Sequence, residues 1–246
     1  MTPRPRCLNC GERLGGRWCS TCGQDGARGL RTLPQLLRDS LGELLNVDGR
    51  LRLTLRTLFL RPGRLTRDYV AGRFVDQTPP LRLYLAASAI YFVLAPRLGG
   101  GRVVLPGAPD DLGYFVFGPL GWDSQILLLL LAPLSALALA VMLRNPRRPF
   151  EALFVFSVHY NVVFLAIISA LAGCASLSRI AGIPWLTVGF LALGVVAPLP
   201  YLVRSLQVAF GIRGIRLLGT SLAWTIVHLG LGQAIDNTLG FGTPFR

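Results

Sequence analysis

The sequence contains no lysine in its 246 residues, which excludes a Schiff-base lysine and the lysine of a phosphate-binding loop. Acidic residues are also scarce, 12 against 25 arginines, leaving a formal net charge of +13. Charged residues make up 15% of the chain and apolar residues 52%, whereas an average soluble domain carries about 25% charge. With a mean hydropathy of +0.52, this shortage of charge excludes a disordered chain and argues for an integral membrane protein. No collagen-like period or internal repeat occurs, and the first apolar span begins only near Leu81. No cleavable signal peptide is therefore expected, and the N-terminal thiols are expected in a reducing cytoplasm, where clustered cysteines suggest metal binding more than disulfides.

Four of the five cysteines fall between positions 7 and 22, as Cys7-x-x-Cys10 and Cys19-x-x-Cys22 separated by eight residues. Each pair can offer two sulfurs to one tetrahedral ion, and Gly11 and Gly23 follow each pair where a positive φ is expected. The spacing predicts one structural zinc ion; an iron–sulfur or redox use is the alternative. Four thiolates leave no open coordination position, which argues against catalytic zinc. A knob this small buries too little to fold alone, so the metal would supply most of its folding free energy. Arg4, Arg6, Arg13, Arg17 and Trp18 give it a basic, aromatic surface, suited to a protein partner or to anionic lipid headgroups. No base-reading helix follows, which argues against nucleic acid.

An arginine- and leucine-rich zone comes next. Leu33, Leu36, Leu37, Leu41, Leu44 and Leu45 recur at three- and four-residue steps after a Thr32 N-cap, predicting an amphipathic helix with Arg38, Asp39 and Glu43 on its wet side. Asp48 can cap a second helix whose face is Leu51, Leu55, Leu58 and Phe59, stopped by Arg61-Pro62-Gly63; a third, Leu65 to Ala71, ends at Gly72. These stripes call for burial against the apolar remainder or in a membrane interface.

Residues 124–143, 152–178, 180–203 and 217–235 are each free of charge, long enough for a hydrocarbon core that needs about 20 residues. A weaker run, 83–96, lies between Arg82 and Arg97. With five crossings and the N-terminus inside, the arginines divide 21 to 4 in favour of the cytoplasm. The expected organisation is a zinc ribbon at 1–26, a cytoplasmic amphipathic helical segment at 27–80 and a transmembrane domain at 81–246. Its spans are expected at about 81–98, 124–143, 152–176, 183–203 and 216–235, N-terminus in and C-terminus out. The fold class is thus an α-helical polytopic membrane protein with a small N-terminal zinc ribbon.

The strings Cys7-Leu-Asn-Cys10-Gly, Trp18-Cys19-Ser-Thr-Cys22-Gly-Gln24, Leu45-Asn46-Val47-Asp48, Leu60-Arg61-Pro62-Gly63 and Tyr69-Val70-Ala71-Gly72-Arg73 together resemble a bacterial family of uncharacterised polytopic membrane proteins. Its members join a four-cysteine zinc ribbon to several transmembrane helices. The resemblance covers roughly the first 95 residues, and more loosely Glu151 to Tyr160; Phe74 departs from it, where a second basic residue often follows Gly-Arg. It implies a multi-pass protein of the bacterial inner membrane with zinc on Cys7, Cys10, Cys19 and Cys22, and supplies no activity.

Polar residues within spans are functional candidates because lipid penalises them. His159, Tyr160 and Asn161 lie in the third span, below Glu151; Thr225, His228 and Gln233 lie in the fifth, with Asp236 at its outer end. His159, Asn161 and His228 form a candidate intramembrane polar site, set against simple interhelical hydrogen bonding. Ala132, Ala136 and Ala140 make a small-residue stripe for close packing, within the chain or in a homo-oligomer. Pro133, Pro198 and Pro200 are expected to kink spans, and Cys174 to be a buried small hydrophobe. No nucleophile stands beside a base, so no catalytic constellation is identified. The leading reading is an inner-membrane protein whose cytoplasmic ribbon is an interaction or adaptor module; the alternative is a small transporter or permease using polar residues of the third and fifth spans.

Overall fold

The computed structural model describes residues 6–26, 30–42, 49–97, 123–143 and 148–238. Among them the elements are helical: α1 (Leu33–Gly42), α2 (Gly49–Leu60), α3 (Arg64–Val70), α4 (Pro80–Arg97), α5 (Asp123–Leu143), α6 (Phe150–Ile180), α7 (Pro184–Val196), α8 (Pro198–Phe210) and α9 (Gly214–Thr238). The only β-pairing among these residues is two isolated antiparallel bridges in the cysteine knob, Arg6 with Arg13 and Trp18 with Asp25. The Gly99-Gly100-Gly101 run, Asp48 and most of the outer loop lie outside the described residues.

Helix α1 starts where its N-cap predicts. Leu36 N–H donates to Thr32 O at 2.9 Å, and Thr32 N–H donates to Gln35 Oε1 at 3.1 Å, the backbone half of a capping box. Leu36 is buried with Tyr69, Phe74 and Val155, and Leu33 packs against that cluster; Leu37 is exposed. Helix α2 buries Leu58 and packs Leu51 and Leu55 on the main core, but Phe59, expected on the same face, is exposed. Its buried polar residue is Thr54, whose hydroxyl donates to Arg50 O at 2.7 Å and accepts Thr78 N–H at 3.0 Å. That pair fixes the chain entering α4, and it takes the place on the inner face that apolar periodicity assigned to Phe59.

The Arg61-Pro62-Gly63 stop is a close approach as well as a turn. Gly63 has φ 75°, and a Cβ there would collide with the Ser205 backbone of α8. Tyr201 OH donates to Leu58 O at 2.8 Å beside it. The α2–α3 corner is thereby seated against α6 and α8.

Helix α6 is the axis of the fold. It is apolar on all sides, which suits a helix covered by neighbours, and it packs against α4, α5 and α7 along its length. Helix α5 packs on α6 and α9. Of the alanine stripe, Ala132 and Ala136 are fully buried, Ala132 in one cluster with Val158 and Val162 of α6, and Ala140 is half-buried. Trp224 of α9 is buried too, its indole N–H donating to Ser135 O at 3.1 Å and its ring edge-on to Tyr160 at 4.6 Å.

One expectation is corrected, that for Cys174, and two more are met only in part. The run over 183–203, expected as one span kinked at its prolines, divides there into two helices, because Pro198 and Pro200 have no N–H to continue the ladder; α7 ends with Ala197 N–H donating to Leu193 O at 2.7 Å, and α8 begins at Pro198. Cys174 is exposed, on the last turns of α6 beside exposed Leu177 and Ile180, rather than buried. Only one helix among the described residues, over Phe150–Ser178, is long and apolar enough to cross a membrane, with mean hydropathy 2.0. A further apolar stretch among the described residues, Leu130–Leu143, is the C-terminal part of the 21-residue α5, and α7 stops after 13 residues. The five-span pattern is therefore not reproduced helix for helix.

Candidate metal centre and a buried histidine

The four N-terminal cysteines converge. Their Sγ atoms all lie within 4.8 Å of one another, with Cys7 and Cys22 at 3.6 Å and Cys10 and Cys19 at 3.5 Å. No pair approaches the about 2.05 Å of a disulfide. A tetrahedral ion with sulfur at about 2.3 Å would need its ligands about 3.8 Å apart, and the cluster brackets that separation. The donor set thus suits a single metal ion.

The backbone explains why the sulfurs meet. Cys7 N–H donates to Glu12 O at 2.8 Å and Gly11 N–H to Cys7 O at 2.9 Å; Cys19 N–H donates to Gln24 O at 2.9 Å and Gly23 N–H to Cys19 O at 2.8 Å. The second knuckle repeats the first twelve residues later, a duplication of geometry that shares little beyond the Cys and Gly positions. Gly11 and Gly23, at φ 79° and 74°, occupy the left-handed positions the spacing predicted. Backbone N–H groups of Cys22 and Thr21 hold the Cys19 thiol well below its usual value, at about 6, while desolvation pushes Cys22 up to about 12.

The knob is seated on the helical body. Gln24 is buried, and its side-chain amide donates to Gly72 O at 2.7 Å; Asn9 Nδ2 donates to Asp76 Oδ2 at 3.1 Å. Buried Asp25 pairs with exposed Arg17 at 3.4 Å. Arg6, Arg13 and Trp18 are exposed, and the Arg17 guanidinium lies 5.3 Å from the Trp18 ring centroid. Arg4 lies outside the described residues.

His159 is the second feature. It is buried in α6, and its Nδ1 lies 2.9 Å from Thr66 Oγ1 of α3, while Nε2 has no partner among the described residues. It borders a crevice of about 10 Å³, the room of one water, together with Arg61, Thr66, Tyr160, Tyr201 and Ser205. Asn161 is fully buried but points elsewhere: two residues on, it donates from Nδ2 to Ser157 O of its own helix at 2.8 Å. His228 is carried by α9, and its side chain lies outside the described ones. The structure therefore joins His159 to Thr66, a partner the sequence analysis did not name; periodicity marks Thr66 only as part of a short helix.

Residues 48–92, which contribute Arg61 and Thr66 to this crevice, match the family model described as "Protein of unknown function (DUF3667)". No curated protein and no solved structure matches the chain.

Proposed function

We propose that the chain is a multi-pass protein of a bacterial inner membrane, with five crossings, N-terminus in and C-terminus out, whose cytoplasmic ribbon holds one structural zinc ion and serves as an interaction module for a soluble protein. The observation that carries the membrane part is an inverted polarity. Ser135, Ser157, His159, Asn161 and Ser221 are buried between helices, while large apolar side chains stand exposed in helical stripes. Those stripes are Ile90, Val93 and Leu94 on α4, Leu130, Leu137 and Val141 on α5, and Ile215, Leu218, Leu222 and Ile226 on α9. Water would penalise such a surface, whereas lipid favours it and favours polar groups as glue between helices. The 21 to 4 arginine division supports the orientation, and the fourth crossing runs through the break at Ala197, since a proline kink is tolerated in a bundle.

The adaptor role is supported by where the specific chemistry lies. A four-sulfur cluster leaves no open coordination position, and beside it stand exposed Trp18, Arg6, Arg13 and Arg17. The test is copurification from native membranes, comparing wild type with Cys7→Ser/Cys10→Ser and measuring zinc in both. The reading expects about one zinc per wild-type chain and a soluble protein retained only by wild type. Equal retention by the zinc-free variant would refute the adaptor role.

A further inference from the structure

At one end of the bundle α5 and α8 terminate while α6 and α9 begin, and there Arg148, Arg213 and Arg216 line a cavity of about 200 Å³ with Gly211 and Ile212. That is smaller than the roughly 300 to 1,000 Å³ of pockets for drug-sized ligands. The surroundings are almost devoid of counter-charge: residues 124–246 contain eight arginines and, as acids, only Glu151 and Asp236. No carboxylate among the described residues pairs with any of the three.

Two of the guanidinium groups are held in place by backbone. Arg148 Nη2 donates to Phe210 O at 2.9 Å, and Arg216 Nη2 donates to Leu143 O at 3.1 Å, so each caps the last turn of a helix. Each keeps most of its five N–H donors for another acceptor. Burial, and then the charge of Arg216, hold Arg148 below its usual pKa, as expected of cations confined together. Arg213 is exposed and has neither carboxylate nor carbonyl partner among the described residues. Helix α9 begins at Gly214, next to Arg213 of the lining, so the positive end of its dipole is at this end of the bundle and adds to the preference for an anion.

We propose that this cavity binds a phosphate group through Arg148, Arg213 and Arg216. Guanidinium forks match phosphate oxygens two at a time, and fixed ones lose little freedom on binding. Two sources share this chemistry, the headgroup of an anionic phospholipid and free phosphate. The lipid source rests on the membrane reading, which puts this end of the bundle at the cytoplasmic headgroup level; phosphate binding itself does not.

The test titrates the full-length detergent-solubilised protein with phosphatidylglycerol, phosphatidylcholine and inorganic phosphate, reading the shift in thermal midpoint. Phosphatidylglycerol is expected to stabilise wild type, with affinity about tenfold weaker in Arg213→Gln/Arg216→Gln. Arg56→Gln, an exposed arginine on α2, is expected to bind as wild type does. Arg213→Gln alone, which breaks no contact among the described residues, guards against misfolding of the double variant and is expected to weaken binding severalfold. Competition by inorganic phosphate at equal strength assigns the site to free phosphate, and its failure assigns the site to the lipid. Binding unchanged in the Arg213 variants, or lost equally in Arg56→Gln, overturns the proposal.

Discussion

The side-chain amide of Gln24 donates to the carbonyl oxygen of Gly72 at 2.7 Å, across 48 residues of chain, and Gln24 is buried at that contact. The cysteine knob is therefore a docked part of the helical body rather than a bead on a tether. Replacing Gln24 with Ala removes the donor and leaves the Gly72 carbonyl unpaired, at a cost of about 1 to 3 kcal/mol. The expected result is faster proteolytic cleavage between the knob and α1, with helix content by circular dichroism unchanged.

Metal removal should act locally. The knob has no apolar core beyond Leu14 and its own cysteines, so stripping the proposed zinc ion with a chelator is expected to unfold residues 6–26 and leave α2–α9 intact. Hydrogen exchange checks this: the amides of Cys7, Gly11, Cys19 and Gly23 should lose protection on chelation, while those of α6 keep theirs. Acidification should do the same, because protons compete with the ion for the thiolates.

Thr66 and His159 should behave as a pair. Thr66→Val keeps the shape, removes the hydroxyl and strands His159 Nδ1, costing about 1 to 3 kcal/mol of stability. The double variant Thr66→Val/His159→Phe should cost less than the two single losses added together, because the unpaired polar atom is gone. Thermal unfolding in detergent measures the three variants; strict additivity would show that the contact has no energetic weight.

Two glycines with the same backbone sign separate conformation from contact. Gly182 has φ 70° with open space around a Cβ, so Gly182→Ala should cost only about 1 to 2 kcal/mol of left-handed strain. Gly63→Ala carries the same strain and drives a methyl group into the Ser205 backbone. It is expected to lower the yield of folded protein severely, as measured by size exclusion after solubilisation.

The exposed stripe on α9 tests the membrane reading. Leu222→Arg is expected to oppose insertion by about 2.5 to 3.5 kcal/mol if the position lies mid-bilayer, and to be nearly neutral if it faces water. A glycosylation-site insertion assay for the last crossing reads the difference.

The cysteine spacing and the left-handed glycines were legible because they are local: a knuckle is fixed by four or five consecutive residues. Most helix positions were legible too, since capping residues and charge gaps are written along the chain. What was not legible depends on distant partners. Apolar periodicity placed Phe59 inward, whereas the inner face of α2 is completed by Thr54, whose partner Thr78 lies 24 residues on. His159 stood out as a polar residue in an apolar run, but its partner lies 93 residues away on a helix of only seven residues. Within 183–203 the position of the bend was legible at Pro198 and Pro200, and what was not legible is that it separates two helices.

The seat of the knob bears on the order in which the protein is made. Everything the cysteine cluster needs, from Cys7 to the Gly72 and Asp76 contacts, precedes Pro80, where α4 begins. Synthesis runs from the N-terminus, and segments fold as they emerge. The ribbon and its landing site can therefore be joined on the nascent chain before the first apolar helix has left the ribosome. The contacts of Thr66 with α6, and of Leu58 and Gly63 with α8, must wait until partners 93 residues on for Thr66 and over 140 residues on for Leu58 and Gly63 have been added. The N-terminal module is thus built early, and its corner at Gly63 is the socket into which the later helices close.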